Sequence, residues 1–230
     1  MSRTFDCSAP RERERGLAAA AAAVARGALV VVPTDTVYGV SADAFQPDAV
    51  EALLAAKGRG RDAAPPVLVG DPTGLDGLAT QVPMYARDLV EAFWPGGLTV
   101  VLPAQPTLAW DLGDTGGTVA LRMPLHPVAL ELLARTGPLA TSGANTAGSP
   151  AALSAGEAHG MLGDSVAVYL DGGACLDERA STIVDCTGEA PRVLRDGAIP
   201  QHLLEEVVPD GWDDEDAASR TAASDEEVPA

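Results

Sequence analysis

Two rhythms of apolar and polar positions alternate along this chain. "ALVVVP" (28–33), "PPVLVGD" (65–71), "LTVVLPA" (98–104), "GTVALRMP" (117–124) and "PLATSG" (138–143) are short, largely β-branched runs bounded by Gly, Pro or polar residues, which predicts strands. Between them lie stretches with helical spacing. "PRERERGLAAAAAAVARG" (10–27) predicts a helix closing at Gly27, and "QPDAVEALLAAKGRG" (46–60) a helix stopped after Lys57 by Gly58. "PMYARDLVEAFWPGG" (83–97) and "HPVALELLARTG" (126–137) predict two more. "DSVAVYLDGG", "STIVDCTG" and "PRVLRDGAI" make the C-terminal third rich in strands. Interleaved strands and helices without an internal repeat indicate an α/β fold, a single domain with a twisted mixed β-sheet and flanking helices.

Composition narrows this picture. Of 230 residues, 47% are hydrophobic but only 4% aromatic, so the core must be built from Ala, Val and Leu. No run of about 18 apolar residues is present, which predicts no membrane association through a spanning helix. The N-terminal "MSRTFDCSAPRERERG" lacks a signal-peptide core, and Cys7, Cys175 and Cys186 are odd in number and far apart. They read as reduced thiols, and the expected location is the cytoplasm. His126, His159 and His202 lack metal-ligand spacing, so no protein-bound metal is expected.

Charge divides the chain. From Glu205 onward, ten acids face one base, Arg220, which accounts for half of the net −18. Residues 1–204 are therefore read as the domain and 205–230 as an acidic, disordered tail. So acidic a chain is a poor non-specific nucleic-acid binder, and any anion site must be a local concentration of cations.

Polar residues follow several strands. Thr34, Asp35 and Thr36 follow "LVVV", Thr141, Ser142 and Asn145 follow "PLA", and Arg122 ends "TVAL". Polar groups after several strands point to one cleft at their carboxyl ends, although each alone is also an ordinary turn or cap. Lys57 is the only lysine in the chain and opens "KGRGR". Its three cations, Lys57, Arg59 and Arg61, spaced by glycines, suit a loop that wraps a triphosphate and equally a solvated helix end. A P-loop is absent. "GRGRDA" follows a helix instead of a strand, so it is not a dinucleotide fingerprint. There is no G-x-S-x-G elbow.

Seven stretches in order, "PTDTVYGVSADAF", "KGRGRDAAPPVLVG", "FWPGGLTVVLPA", "VALRMPLHPVALELL", "PLATSGANTAGSP", "STIVDCTG" and "VLRDGAI", resemble the successive signature blocks of the YrdC-like family of L-threonylcarbamoyladenylate synthases in its short single-domain form. The resemblance covers roughly Cys7 to Ile199. It implies a nucleotidyltransferase that joins L-threonine, bicarbonate and ATP into L-threonylcarbamoyladenylate and pyrophosphate. This is the first step of N6-threonylcarbamoyladenosine formation at adenosine 37 of tRNAs reading ANN codons, completed by a downstream transferase complex. Mg2+ is expected with the triphosphate.

By the same resemblance, Thr34, Tyr38, Thr118, Arg122 and Ser181 would serve the threonine. Arg122 would hold its carboxylate. Lys57, Arg59, Arg61, Ser142, Asn145 and Arg195 would serve the nucleotide, with Lys57 and Arg59 closest to the chemistry. Gly143 stands where the family usually has a serine, and Ala63-Ala64 where it often has a basic or Asn-Pro pair. The alternative implied by the fold is a non-catalytic module that binds double-stranded RNA or assists ribosome assembly, in direct contact with RNA.

Overall fold

The computed structural model describes residues 2–175, 179–209 and 211–213. Ten strands form one sheet: β1 (Arg3–Asp6), β2 (Leu29–Val32), β3 (Gly39–Asp43), β4 (Val67–Leu68), β5 (Leu98–Pro103), β6 (Thr118–Arg122), β7 (Leu139–Gly143), β8 (Val166–Asp171), β9 (Thr182–Asp185) and β10 (Arg192–Arg195). Their order across the sheet is β1-β8-β2-β3-β7-β4-β6-β5-β9-β10. Parallel pairs (β1/β8, β2/β8, β4/β6, β5/β9) mix with antiparallel ones (β2/β3, β3/β7, β4/β7, β5/β6, β9/β10), so the expected mixed sheet is observed.

Seven α-helices are described, with a short 3-10 turn at Gly163–Ser165: α1 (Pro10–Val24), α2 (Pro47–Lys57), α3 (Gly74–Leu78), α4 (Met84–Phe93), α5 (Pro127–Thr136), α6 (Ala155–Leu162) and α7 (Gln201–Val207). Proline opens α1, α2 and α5, where a missing N–H costs nothing. Gly58, left-handed at φ 66°, ends α2. None of these helices is long and apolar enough to cross a membrane.

Strand β2 explains why its sequence is apolar without alternation. Val30 and Val32 pack with Leu17, Ala20 and Val24 of α1 on one face. Leu29 and Val31 pack with Leu53 of α2 and Leu162 of α6 on the other. A strand buried on both faces needs no polar side. On the far half of the sheet the described residues cover only one face. Leu98, Val100 and Leu102 of β5, Val119 and Leu121 of β6, and Val184 of β9 join Leu89 of α4 and Leu204 of α7 in the largest core cluster. Trp94 is buried there, its indole N–H donating to Leu98 O at 2.8 Å. The alternate residues of the same strands face the opposite side, and that side carries the cleft.

The boundary expected after residue 204 falls inside α7, and Val208 is buried behind it. Trp212 donates its indole N–H to Val208 O at 2.7 Å. Most of the expected acidic tail, residues 210 and 214–230, lies outside the described residues. The three cysteines are free thiols.

Candidate active site

The cleft floor is the uncovered face of the second half of the sheet. Thr99 and Val101 of β5, Ala120 and Arg122 of β6, Ile183 of β9 and Thr141 of β7 line a cavity of about 420 Å³. These positions differ by two within each strand, because successive side chains point to opposite faces. The expectation of a cleft at shared carboxyl ends is corrected here. Through the chain of pairings, β6 runs opposite to β2 and β7, so their carboxyl ends lie at opposite edges of the sheet. The polar residues meet instead because the turn after β2 packs onto the end of β6.

That turn answers for the polar run Thr34-Asp35-Thr36. Pro33 ends the strand, and the Thr34 hydroxyl donates to Val37 O at 2.6 Å while accepting from Thr36 N at 3.2 Å. Thr34 and Thr36 line the cleft. Asp35 and Thr36 also grip Arg122. The guanidinium donates from Nη2 to Asp35 Oδ1 (2.8 Å), from Nη1 to Thr36 Oγ1 (2.9 Å) and from Nε to Gly96 O (2.9 Å). Three of its five N–H groups are thus used, and two are not taken up by these bonds. Burial lowers the Arg122 pKa, and Asp35 opposes that shift.

Arg195 is anchored from β10. Its Nε and Nη2 donate to Ser181 O at 3.0 and 2.8 Å, and Nη2 also reaches Ser181 Oγ at 3.1 Å. The Ser181 hydroxyl pairs with Thr99 Oγ1 at 2.8 Å. Burial first, then the Arg122 and Arg59 charges, lower the Arg195 pKa, which places three guanidinium groups in one field. Among the lining residues the charged ones are Lys57, Arg59, Arg122 and Arg195, without a carboxylate. A chain of net −18 therefore concentrates positive charge here.

Lys57 is 1% exposed. Its ammonium donates to Gly143 O, to Asn145 O at 2.6 Å and to Asn145 Oδ1 at 3.3 Å. An ammonium has three N–H groups, so all are taken. Burial, then Arg59, lowers its pKa to about 8. The Asn145 amide donates to Ser149 O at 2.7 Å and to Thr146 O at 3.1 Å. Lys57 and Asn145 together brace the loop after β7, beside Ser142 in the lining.

Other sequence-selected residues lie differently. Tyr38 borders the cleft, but its fully buried side chain turns its hydroxyl away. The hydroxyl donates to Gly173 O at 2.5 Å and accepts from Gly172 N at 3.0 Å. Burial pushes its pKa up. Thr118 does not line the cleft; its hydroxyl donates to Thr115 O at 2.8 Å. Arg61 does not line it either and pairs with Asp111. Thr99 and Ile183, which the sequence did not single out, stand on the floor. Their only signal was the period of two along strands whose other face is core. Among the described residues no cluster of three or more His, Cys, Asp or Glu side chains is placed to hold a metal.

Comparison with known proteins adds to this geometry. The model of the Sua5/YciO/YrdC family, described as telomere recombination, matches residues 22–197. A Mycobacterium tuberculosis protein is 54% identical over 208 residues, which are 90% of this chain and 96% of its own. The Bacillus subtilis threonylcarbamoyl-AMP synthase is 38% identical over 195 residues, 84% of this chain and 56% of its own. The crystal structure of Pyrococcus abyssi Sua5 complexed with L-threonine superposes with a TM-score of 0.85 at 32% identity, covering 92% of this chain and 62% of that one.

Proposed function

From the premise that this chain belongs to the Sua5/YciO/YrdC family, we propose that it is a threonylcarbamoyl-AMP synthase, an enzyme that transfers an adenylyl group. The observation that carries the reading is the cleft. Among the described residues its lining holds four cations and no carboxylate, on a sheet face edged by threonine hydroxyls. This suits a small amino acid beside a polyphosphate. A similar protein, from Pyrococcus abyssi, has been crystallised with L-threonine.

In this proposal the threonine amine attacks bicarbonate carbon to give a carbamate and water. A carbamate oxygen then attacks the α-phosphorus of ATP. The α–β phosphoanhydride bond breaks, and pyrophosphate leaves with its electron pair. The reaction needs no protein nucleophile. The residues orient the reactants and meet developing charge. The two unused N–H groups of Arg122 fit the threonine carboxylate, since a planar fork matches a planar anion. Thr34 and Ser181 border the same end, and Tyr38 shapes it through the 171–173 loop.

Arg59 and Arg195 meet the phosphates. Lys57, with its donors engaged, contributes its charge and holds Asn145 and Ser142 in place. Thr118 and Arg61 have no ligand role in this proposal. Mg2+ would enter with the triphosphate, whose own oxygens would hold it. The product is then consumed by a transferase acting on tRNA. Equilibrium binding of L-threonine, compared with L-serine and L-valine, tests the amino-acid half. Selective threonine binding that disappears in Arg122→Ala is expected, and equal binding of all three would overturn it.

A further inference from the structure

Between two cleft-lining positions, Arg59 and Ala63, Arg61 turns its side chain out. Its Nη2 meets Asp111 Oδ1 at 2.8 Å and its Nε meets Asp114 Oδ1 at 3.4 Å. Both aspartates stand on the β5–β6 connection. The backbone joins in: Asp114 N donates to Arg61 O at 2.8 Å, and Asp111 Oδ1 also accepts from Gly113 N at 3.0 Å. Gly113 lies so close that a Cβ there would sit 2.5 Å from Arg61 O, and its φ of +105° is one that L side chains rarely adopt. Charge, backbone and close approach thus converge on one residue of the basic loop.

We infer that Arg61, Asp111 and Asp114 form a clasp that positions the 58–64 loop, and through it Arg59, for the nucleotide. The loop needs such a hold. It begins with a left-handed glycine and has a second glycine at position 60, so its own conformational preference is weak. The Arg59 side chain is exposed and makes no hydrogen bond or ion pair among the described residues, while its backbone N donates to Leu54 O at 2.9 Å. Its direction is therefore set by the backbone that carries it. Arg61 is a positioning residue, and the β5–β6 connection is its receptor. The inference rests on the synthase reading only for what Arg59 meets.

The test uses the full chain with Asp111→Asn/Asp114→Asn and, separately, Arg61→Ala. Exposed pairs are individually weak, so each variant is expected to raise the KM for ATP by about three- to fivefold. The KM for threonine and kcat stay unchanged. Amide hydrogen exchange over residues 58–64 of the nucleotide-free protein speeds up in both variants. Combining all three substitutions adds little, because one clasp is removed either way. Asp111→Glu with Asp114 intact restores the ATP KM. If the double aspartate variant instead lowers the ATP KM while Arg61→Ala raises it, Arg61 is a phosphate ligand held off by the aspartates, and the clasp is overturned. Unchanged exchange in 58–64 overturns it as well. The exchange measurement needs no turnover, so an absence of pyrophosphate release would count against the synthase reading alone.

Discussion

Arg122 and Asp35 meet at 2.8 Å with side chains only 8% and 16% exposed, so a buried ion pair joins the end of β6 to the turn after β2. Asp35 Oδ1 also accepts from Leu125 N at 2.8 Å, which ties in the segment leading to α5. One carboxylate thus fixes the plane of the guanidinium at the cleft floor.

Removing one partner of such a pair leaves the other charge buried. Asp35→Ala is expected to cost about 3–5 kcal/mol in urea unfolding, and Asp35→Asn less, because it keeps an acceptor. Arg122→Lys should retain the charge but lose the fork and abolish threonine binding. Equal stability of Asp35→Ala and the parent would show that the pair does not hold this corner together.

Lys57→Met keeps the bulk of the side chain and deletes the donors to Gly143 O and Asn145 O. Gly143 O keeps Asn145 N at 2.9 Å, but Asn145 O loses its donor; an acceptor left without a partner costs about 1–3 kcal/mol, so the loop after β7 should loosen. The KM for ATP is expected to rise about tenfold or more, on the scale of one such loss, with the KM for threonine little changed. Unchanged ATP kinetics would remove Lys57 from the nucleotide side of the cleft.

Gly197 approaches the start of β9 closely. A Cβ there would fall 2.5 Å from Ser181 C and Thr182 N and would also meet Ala180 O. These are backbone atoms and cannot rotate away. Gly197→Ala should destabilise the protein by about 1–3 kcal/mol, the usual range for overpacking, and weaken ATP use by displacing Arg195 from Ser181. A variant with parental unfolding midpoint and kinetics would refute the fit.

His126 caps α5, with Nδ1 accepting from Val128 N at 3.3 Å, a bond that requires the unprotonated nitrogen. Burial, then the Arg13 charge, lowers its pKa, while Asp35 opposes the shift. The unfolded chain therefore binds the proton more readily. Stability is complete above the unfolded value of about 6.5 and declines as pH falls below it. Asp6, Glu14, Asp111, Asp164 and Asp185, whose pKa values are also lowered, act further down, below about 4. His126→Asn, which keeps an acceptor without titrating, should flatten the decline between pH 6.5 and 5. The same slope in both proteins would acquit His126.

The strands with β-branched runs were legible because burial on both faces, or on one, leaves a plain mark in the residues. Strand β3, "GVSAD", left none. It is held by pairing with β2 and β7 and by buried Val40 and Ala42, and Gly39 leaves room for β7, since a Cβ there would lie 2.6 Å from Thr141 Cγ2. Strand β1, "RTFD", has one buried apolar residue, Phe5, and is held by pairing with β8. Within the site, the polar turn at Thr34, the lone lysine and Arg122 were visible as residues. Their partners were not, because Asp111 lies 50 positions from Arg61 and Gly143 lies 86 from Lys57. Nor does a sequence say which face of β5 or β9 is left uncovered, and that choice puts Thr99 and Ile183 on the cleft floor.

Pyrophosphate release from ATP by the purified protein, with threonine and bicarbonate each supplied or omitted, tests the central claim most directly. The account predicts release that requires both and that fails when serine or valine replaces threonine. Release without threonine, or none under any combination from folded protein, would contradict it.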